Sequence, residues 1–185
     1  DTNGDGASTG QRGDWSGVRF RAGSRGRLAY VFFGFGGSGV YDHNGCYGAA
    51  QLESFSSDVT LDHVTLRASA NSGLYCDNAS VQVTYCDVKE NTNYGLYWDG
   101  VDGAVPLTVS DTTFGGNGAA GWLHFRDTAG TVTFQRNSAT GANNGFRADG
   151  RLNQGSLTWD NGGNLPLLID PGMRVAPATT LTLMP

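Results

Sequence analysis

Four short runs decide how this chain is read: Val81-Gln82-Val83, Leu107-Thr108-Val109, Val132-Thr133-Phe134 and Leu157-Thr158-Trp159. Each alternates apolar, polar, apolar, the pattern of a strand with one face turned to a core. With Val59-Thr60-Leu61 ahead of them, their starts lie 22, 26, 25 and 25 residues apart. Seven residues after the start of most runs stands a second apolar position: Leu66, Val88, Phe114 and Ala139. A turn rich in Asn and Gly follows, and then glycine with a large apolar residue opens another strand: Gly73-Leu74-Tyr75, Gly95-Leu96-Tyr97, Gly121-Trp122-Leu123, Gly145-Phe146.

A unit this short cannot bury its own apolar face. Stacking units about 4.8 Å apart gives a continuous core and pairs each backbone with the turn above and below, so the pattern predicts a parallel β-solenoid. Leucine-rich repeats have similar length but carry a Leu-rich consensus with a fixed Asn, which is absent, and propeller blades are longer. The fold class expected is all-β, a parallel β-helix of about six to eight rungs. Leu61, Val83, Val109, Phe134 and Trp159 should form one inward column, and Leu74, Leu96, Trp122 and Phe146 another. Outward threonines do not recur on every rung in this alignment, so a flat threonine array suited to ice is not expected.

Composition agrees. Lysine occurs once (Lys89) and glutamate twice (Glu53, Glu90) among 185 residues, so strong polar helix formers are nearly missing. The 29 glycines follow no every-third-residue period, which excludes collagen. Net charge is −5 with scattered arginines, which argues against a nucleic-acid partner. No apolar run is long enough for a transmembrane helix. Cys46, Cys76 and Cys86 lack the paired spacing of a metal site; three buried thiols are a simpler expectation than one disulfide with one free thiol.

Residues 1–14 read as an acidic, Gly-rich leader and 15–185 as a single β-helix domain, with a protruding loop near 34–48 that carries His43. The acidic opening is unlike a signal peptide, as expected for a mature or excised piece of something longer. Within the leader, Asp1, Asn3 and Asp5 before Gly6 match the first half of a calcium loop, so Ca2+ is the one cofactor considered. Its twelfth position is Arg12 rather than a bidentate Glu, which leaves the loop incomplete. Near the second turn, Asn71, Asn91, Asn93, Asn117, Asn143 and Asn144 are expected to stack as an amide ladder between rungs.

The stretch Gly13-Asp14-Trp15-Ser16-Gly17-Val18-Arg19-Phe20, the following Leu28-Ala29-Tyr30, rungs such as Val83-Thr84-Tyr85-Cys86, and the closing 165–185 segment resemble bacterial right-handed parallel β-helix repeat proteins. That resemblance implies a secreted or cell-surface protein, part of something larger. The group holds polysaccharide lyases, glycoside hydrolases, adhesins and passive structural modules on one scaffold. The leading expectation is a non-catalytic structural or adhesive module of the cell envelope. Its partners would be further β-helix segments, copies of itself, envelope components or polysaccharide. The alternative is a carbohydrate-active enzyme or a glycan-binding β-helix. If enzymatic, the rung alignment nominates His63, Asp111 and Arg136 (with Tyr85) just after the first strand, and Asp87 two residues further along its rung. Tyr75, Tyr97 and Trp98 are the candidates for carbohydrate contact. The catalytic motifs of galacturonan hydrolases are absent.

Overall fold

A computed structural model describes residues 9–39, 50–101, 105–128, 130–160 and 165–184. Its first turn carries β1 (Val18–Phe20), β2 (Arg25–Ala29) and β3 (Phe32–Gly34), and the second β4 (Ala50–Phe55), β5 (Asp58–Asp62) and β6 (Thr65–Arg67). The third has β7 (Ser72–Asp77), β8 (Ser80–Thr84) and β9 (Asp87–Lys89), and the fourth β10 (Tyr94–Val101), β11 (Leu107–Ser110) and β12 (Thr113–Gly115). The fifth has β13 (Ala119–Thr128), β14 (Thr131–Gln135) and β15 (Ser138–Thr140). Beyond it come β16 (Phe146–Leu152), β17 (Gly155–Asp160), β18 (Leu167–Ile169), β19 (Arg174–Val175) and β20 (Thr179–Met184).

Strands from successive turns pair in parallel to build three long sheets. Sheet one stacks β1, β4, β7, β10, β13, β16 and β18, with β19 also on β16; sheet two stacks β2, β5, β8, β11, β14, β17 and β20. Sheet three stacks only β3, β6, β9, β12 and β15. Five turns are therefore three-sided, fewer than the six to eight rungs expected, and the last levels have strands in two sheets among the described residues.

The first inward column stands as expected: Leu61, Val83, Val109, Phe134 and Trp159 pair in register and are buried. The second does not. Its members are Leu74, Leu96, Gly121 and Phe146, and Trp122 is displaced to the outer face opposite Tyr97. A Cβ on Gly121 would lie 2.1 Å from the Phe146 ring. The missing side chain thus makes room for that ring, which packs edge-on against Phe114 and Phe134. On sheet two Thr60, Thr108, Thr133, Thr158 and Thr182 share one outward column, interrupted by Arg27 and Gln82, so threonine does not recur on every rung.

Two polar ladders close the interior corners. Buried Asn91 donates to the Leu66 carbonyl at 3.1 Å and to Asn117 Oδ1 at 2.9 Å, while the Ser69 N–H donates to its Oδ1 at 3.0 Å. Asn117 repeats the motif one turn on, donating to the Val88 carbonyl at 2.8 Å. At the opposite corner the Cys86 N–H donates to Thr112 and the Thr112 N–H to Asn137. Cys76 and Cys86 are buried free thiols; Cys46 lies outside the described residues. Gly36 and Gly37 are buried, and the Gly37 and Ser38 N–H groups bond to Ser16 and Trp15. The start of the 34–48 loop therefore packs on the coil, and 40–48, with His43, fall outside the described residues.

Candidate functional site

The column nominated after the first strand exists as a corner. Tyr30, His63, Tyr85, Asp111 and Arg136 occupy equivalent bends with φ of 56°, 54°, 54°, 52° and 52°, the left-handed region that bulky residues avoid. Tyr30 stacks on His63 at 4.8 Å and His63 on Tyr85 at 5.1 Å. Arg136 clamps Asp111 through two 2.7 Å bonds, which hold the Asp111 carboxyl below its usual range. Asp87 is elsewhere, on sheet three, paired with Lys89. These residues are exposed or paired with each other, and they do not converge on one point. A shallow groove of about 470 Å3 on sheet two, lined by Arg27, Thr60, Asp62, Gln82, Thr84 and Tyr85, adjoins the corner.

The outer face of sheet one carries a different constellation. Side chains two residues apart on a strand share a face about 6.7 Å apart, and neighbouring rungs bring equivalent residues to about 4.8 Å. One outward column is Tyr75, Tyr97, Trp122, Arg147; the next is Asp77, Asp99, His124, Asp149. Tyr75 and Tyr97 stack at 5.1 Å, and Trp122 meets Tyr97 edge-on at 5.2 Å. Arg147 lies 5.2 Å over the Trp122 ring and is ion-paired with Asp170. Trp98, by contrast, points inward and is buried against Phe125, so it belongs to the core. A hollow of about 370 Å3 beside the aromatic column is bordered by Tyr94, Asn143, Arg147 and Leu168.

The acidic column is strongly differentiated. Asp99, 5% exposed, is gripped by both Arg126 Nε (2.8 Å) and Arg126 Nη2. Asp149 receives Trp122 Nε1 at 3.0 Å and His124 Nδ1 at 2.6 Å. Asp77 is half-buried beside Asp99; its backbone carbonyl accepts from the Ser56 N–H, while its carboxyl makes no hydrogen bond or ion pair among the described residues. Burial, and then the Asp99 charge, push its carboxyl above the ordinary value, with Arg126 opposing. The same surroundings act on the phenols: burial first, then Asp99 and Asp149, raise Tyr97 to about 12, and Tyr75 moves the same way. Among the described residues no cluster of three or more His, Cys, Asp or Glu is placed to hold a metal ion. Asp1, Asn3 and Asp5 lie outside the described residues.

Of the sequence candidates, the structure brings Tyr75 and Tyr97 into this face and leaves His63, Asp87, Asp111 and Arg136 outside it. Asp77, His124, Asp149 and Arg126 were missed. For all but Arg126 the signal was a recurring spacing, Tyr75-x-Asp77, Tyr97-x-Asp99, Trp122-x-His124 and Arg147-x-Asp149. It emerges only when Trp122 is aligned with the tyrosines.

Parallel rungs stacked into three sheets, with a polar, partly buried column on one outer sheet, define a β-helix with a candidate site on its side wall. Residues 8–164 match the family model described as a right handed beta helix region, and the chain belongs to that family. Comparisons with curated proteins and with solved structures find no match.

Proposed function

We propose that this β-helix engages a carbohydrate polymer along the outer face of sheet one. The observation that carries the reading is the paired column: Asp77, Asp99, His124 and Asp149, one residue per rung, beside Tyr75, Tyr97 and Trp122. A sugar presents apolar C–H surface together with hydroxyls that both donate and accept. Aromatic edges next to carboxylates and an imidazole complement both. The repeat of polar groups at each rung, about 4.8 Å, is comparable to the length of one sugar ring. A passive rod requires only the stacked core. It gives no reason to set a half-buried Asp77 without a cationic partner beside the buried Asp99, an arrangement that costs free energy and is typical of functional sites. With this reading goes a secreted or surface location, where such polymers lie.

Affinity electrophoresis through gels containing a panel of polysaccharides tests it. At least one polymer should retard the protein, and Trp122→Ala and Tyr97→Ala should each weaken that retardation about tenfold, equivalent to about 1.4 kcal/mol. Thr133→Ala on sheet two should not. Retardation insensitive to both aromatic variants would move the site off this face.

A further inference from the structure

Resting on the carbohydrate reading, we propose that the same face hydrolyses neutral polysaccharide, with Asp77 as general acid and His124, positioned by Asp149, as the base that activates water. The neutral class follows from charge. Every arginine on the strands from β1 to β16 of sheet one already has a carboxylate: Arg19 with Glu53, Arg126 with Asp99, Arg147 with Asp170 and Arg151 with Asp127. No arginine on those strands is left unpaired to hold a uronate, and the Asp149 carboxylate, facing a neutral imidazole, remains as surplus negative charge. An acidic polymer would be repelled where a neutral one is not.

The roles follow from hydrogen bonding. The Asp149 carboxylate accepts from Trp122 Nε1 and faces His124 Nδ1, so that nitrogen carries the proton and donates it. Nε2 is then the free lone pair, the arrangement in which a carboxylate orients an imidazole base. Asp77 lies two rungs away, about 9.6 Å along the axis from the His124 backbone. That is close to the wider acid–base separation used for glycosidic cleavage, about 6.5–9.5 Å, which leaves room for a water and inverts the anomeric centre. Between the two, the Asp99–Arg126 pair presents a half-exposed guanidinium to a bound sugar. In the reaction the Asp77 proton passes to the glycosidic oxygen as its bond to the anomeric carbon breaks. Water oxygen forms the new bond from the opposite side, and the water proton goes to His124 Nε2. Solvent then returns both groups to their starting states.

The test incubates the whole chain with neutral polymers (β-glucan, xylan, mannan, galactan) and with uronates (polygalacturonate, alginate). New reducing ends are measured, their anomeric configuration is read by proton NMR, and binding is followed by affinity electrophoresis. The expected result is inverted reducing ends from a neutral polymer only. Asp77→Asn and His124→Gln should each lower kcat by about 100-fold or more, far beyond any weakening of retardation in the gels, with circular dichroism preserved. Asp149→Asn should displace the pH–rate profile, which a purely structural residue would leave in place, and Thr133→Ala should change nothing. Cleavage of uronates alone overturns the neutral class, and unsaturated ends overturn hydrolysis in favour of elimination. Binding without new ends overturns the catalytic roles while the carbohydrate reading stands; the absence of both binding and cleavage overturns the two together.

Discussion

Phe134→Ala, set against its neighbour Thr133→Ala, probes the inward register most directly. Phe134 is fully buried, stacked on Trp159 at 4.4 Å and edge-on to Phe146 at 4.9 Å. Truncating a buried phenylalanine costs about 3–5 kcal/mol through lost transfer energy and the cavity left behind. Two aromatic partners on adjoining positions, each contributing about 0.5–1.5 kcal/mol beyond area, put Phe134 in the upper half of that range. At about 4 kcal/mol this is a large part of the roughly 5–15 kcal/mol that holds a domain folded. For a chain of this length it should lower Tm by about 8–16 °C. Thr133 points outward on sheet two, so its truncation should change stability by no more than about 0.5 kcal/mol. Urea and thermal unfolding followed by circular dichroism measure both. A Phe134→Ala cost below about 1 kcal/mol, or equal costs for the two variants, would refute the register and the stacked core with it.

Three further outcomes can be checked. Asn91→Ala strands the Leu66 carbonyl and the Ser69 N–H inside the corner and should cost about 2–4 kcal/mol in urea unfolding. Asn93→Ala, on an exposed amide, should cost no more than about 0.5 kcal/mol. Because the Asp77 carboxyl is raised, the folded chain holds that proton more tightly than the unfolded chain. This favours folding below about pH 4, and the advantage is lost as pH rises through the folded value. Asp77→Asn should therefore raise the urea midpoint at pH 7 and lose that benefit in acid; a lower midpoint at pH 7 would contradict the assigned environment. Asp111 runs the other way: its carboxyl is lowered by Arg136, so its contribution is present above the unfolded value and disappears as pH falls through the folded one. Carbon-detected NMR should show its titration midpoint shifting upward in Arg136→Gln.

The solenoid was legible because alternation by two and recurrence near 25 residues are both local properties. Val81-Gln82-Val83 and its three successors carry them without reference to the rest of the fold. The second column was misaligned by one residue at a single place. Gly121-Trp122 imitates Gly73-Leu74 and Gly95-Leu96, yet the inward slot falls on the glycine because the Phe146 ring of the next rung fills the space. In a strand a one-residue slip exchanges the two faces. That slip assigned Trp122 to the core and hid the spacing that connects Asp99 to His124, so the fold survived the error and the site did not. The corner at His63 was aligned correctly, but its left-handed backbone was not foreseeable, since tyrosine and arginine are poor residues for that conformation. Among the described residues sheet three has no strand past β15, while Leu165, Leu167 and Met173 still contribute to the core.

The wall assembled from Asp77, Asp99, His124 and Asp149 draws one member from each of four consecutive coils. In a compact enzyme, moving two such groups apart would mean rebuilding loops. Here, duplicating or excising one coil of about 25 residues would shift the spacing by a fixed increment of about 4.8 Å, with the hydrophobic filling and the backbone pairing carried along intact. The architecture behaves as a ruler whose graduations can be added or removed, and the chemistry on its edge is adjustable in whole steps.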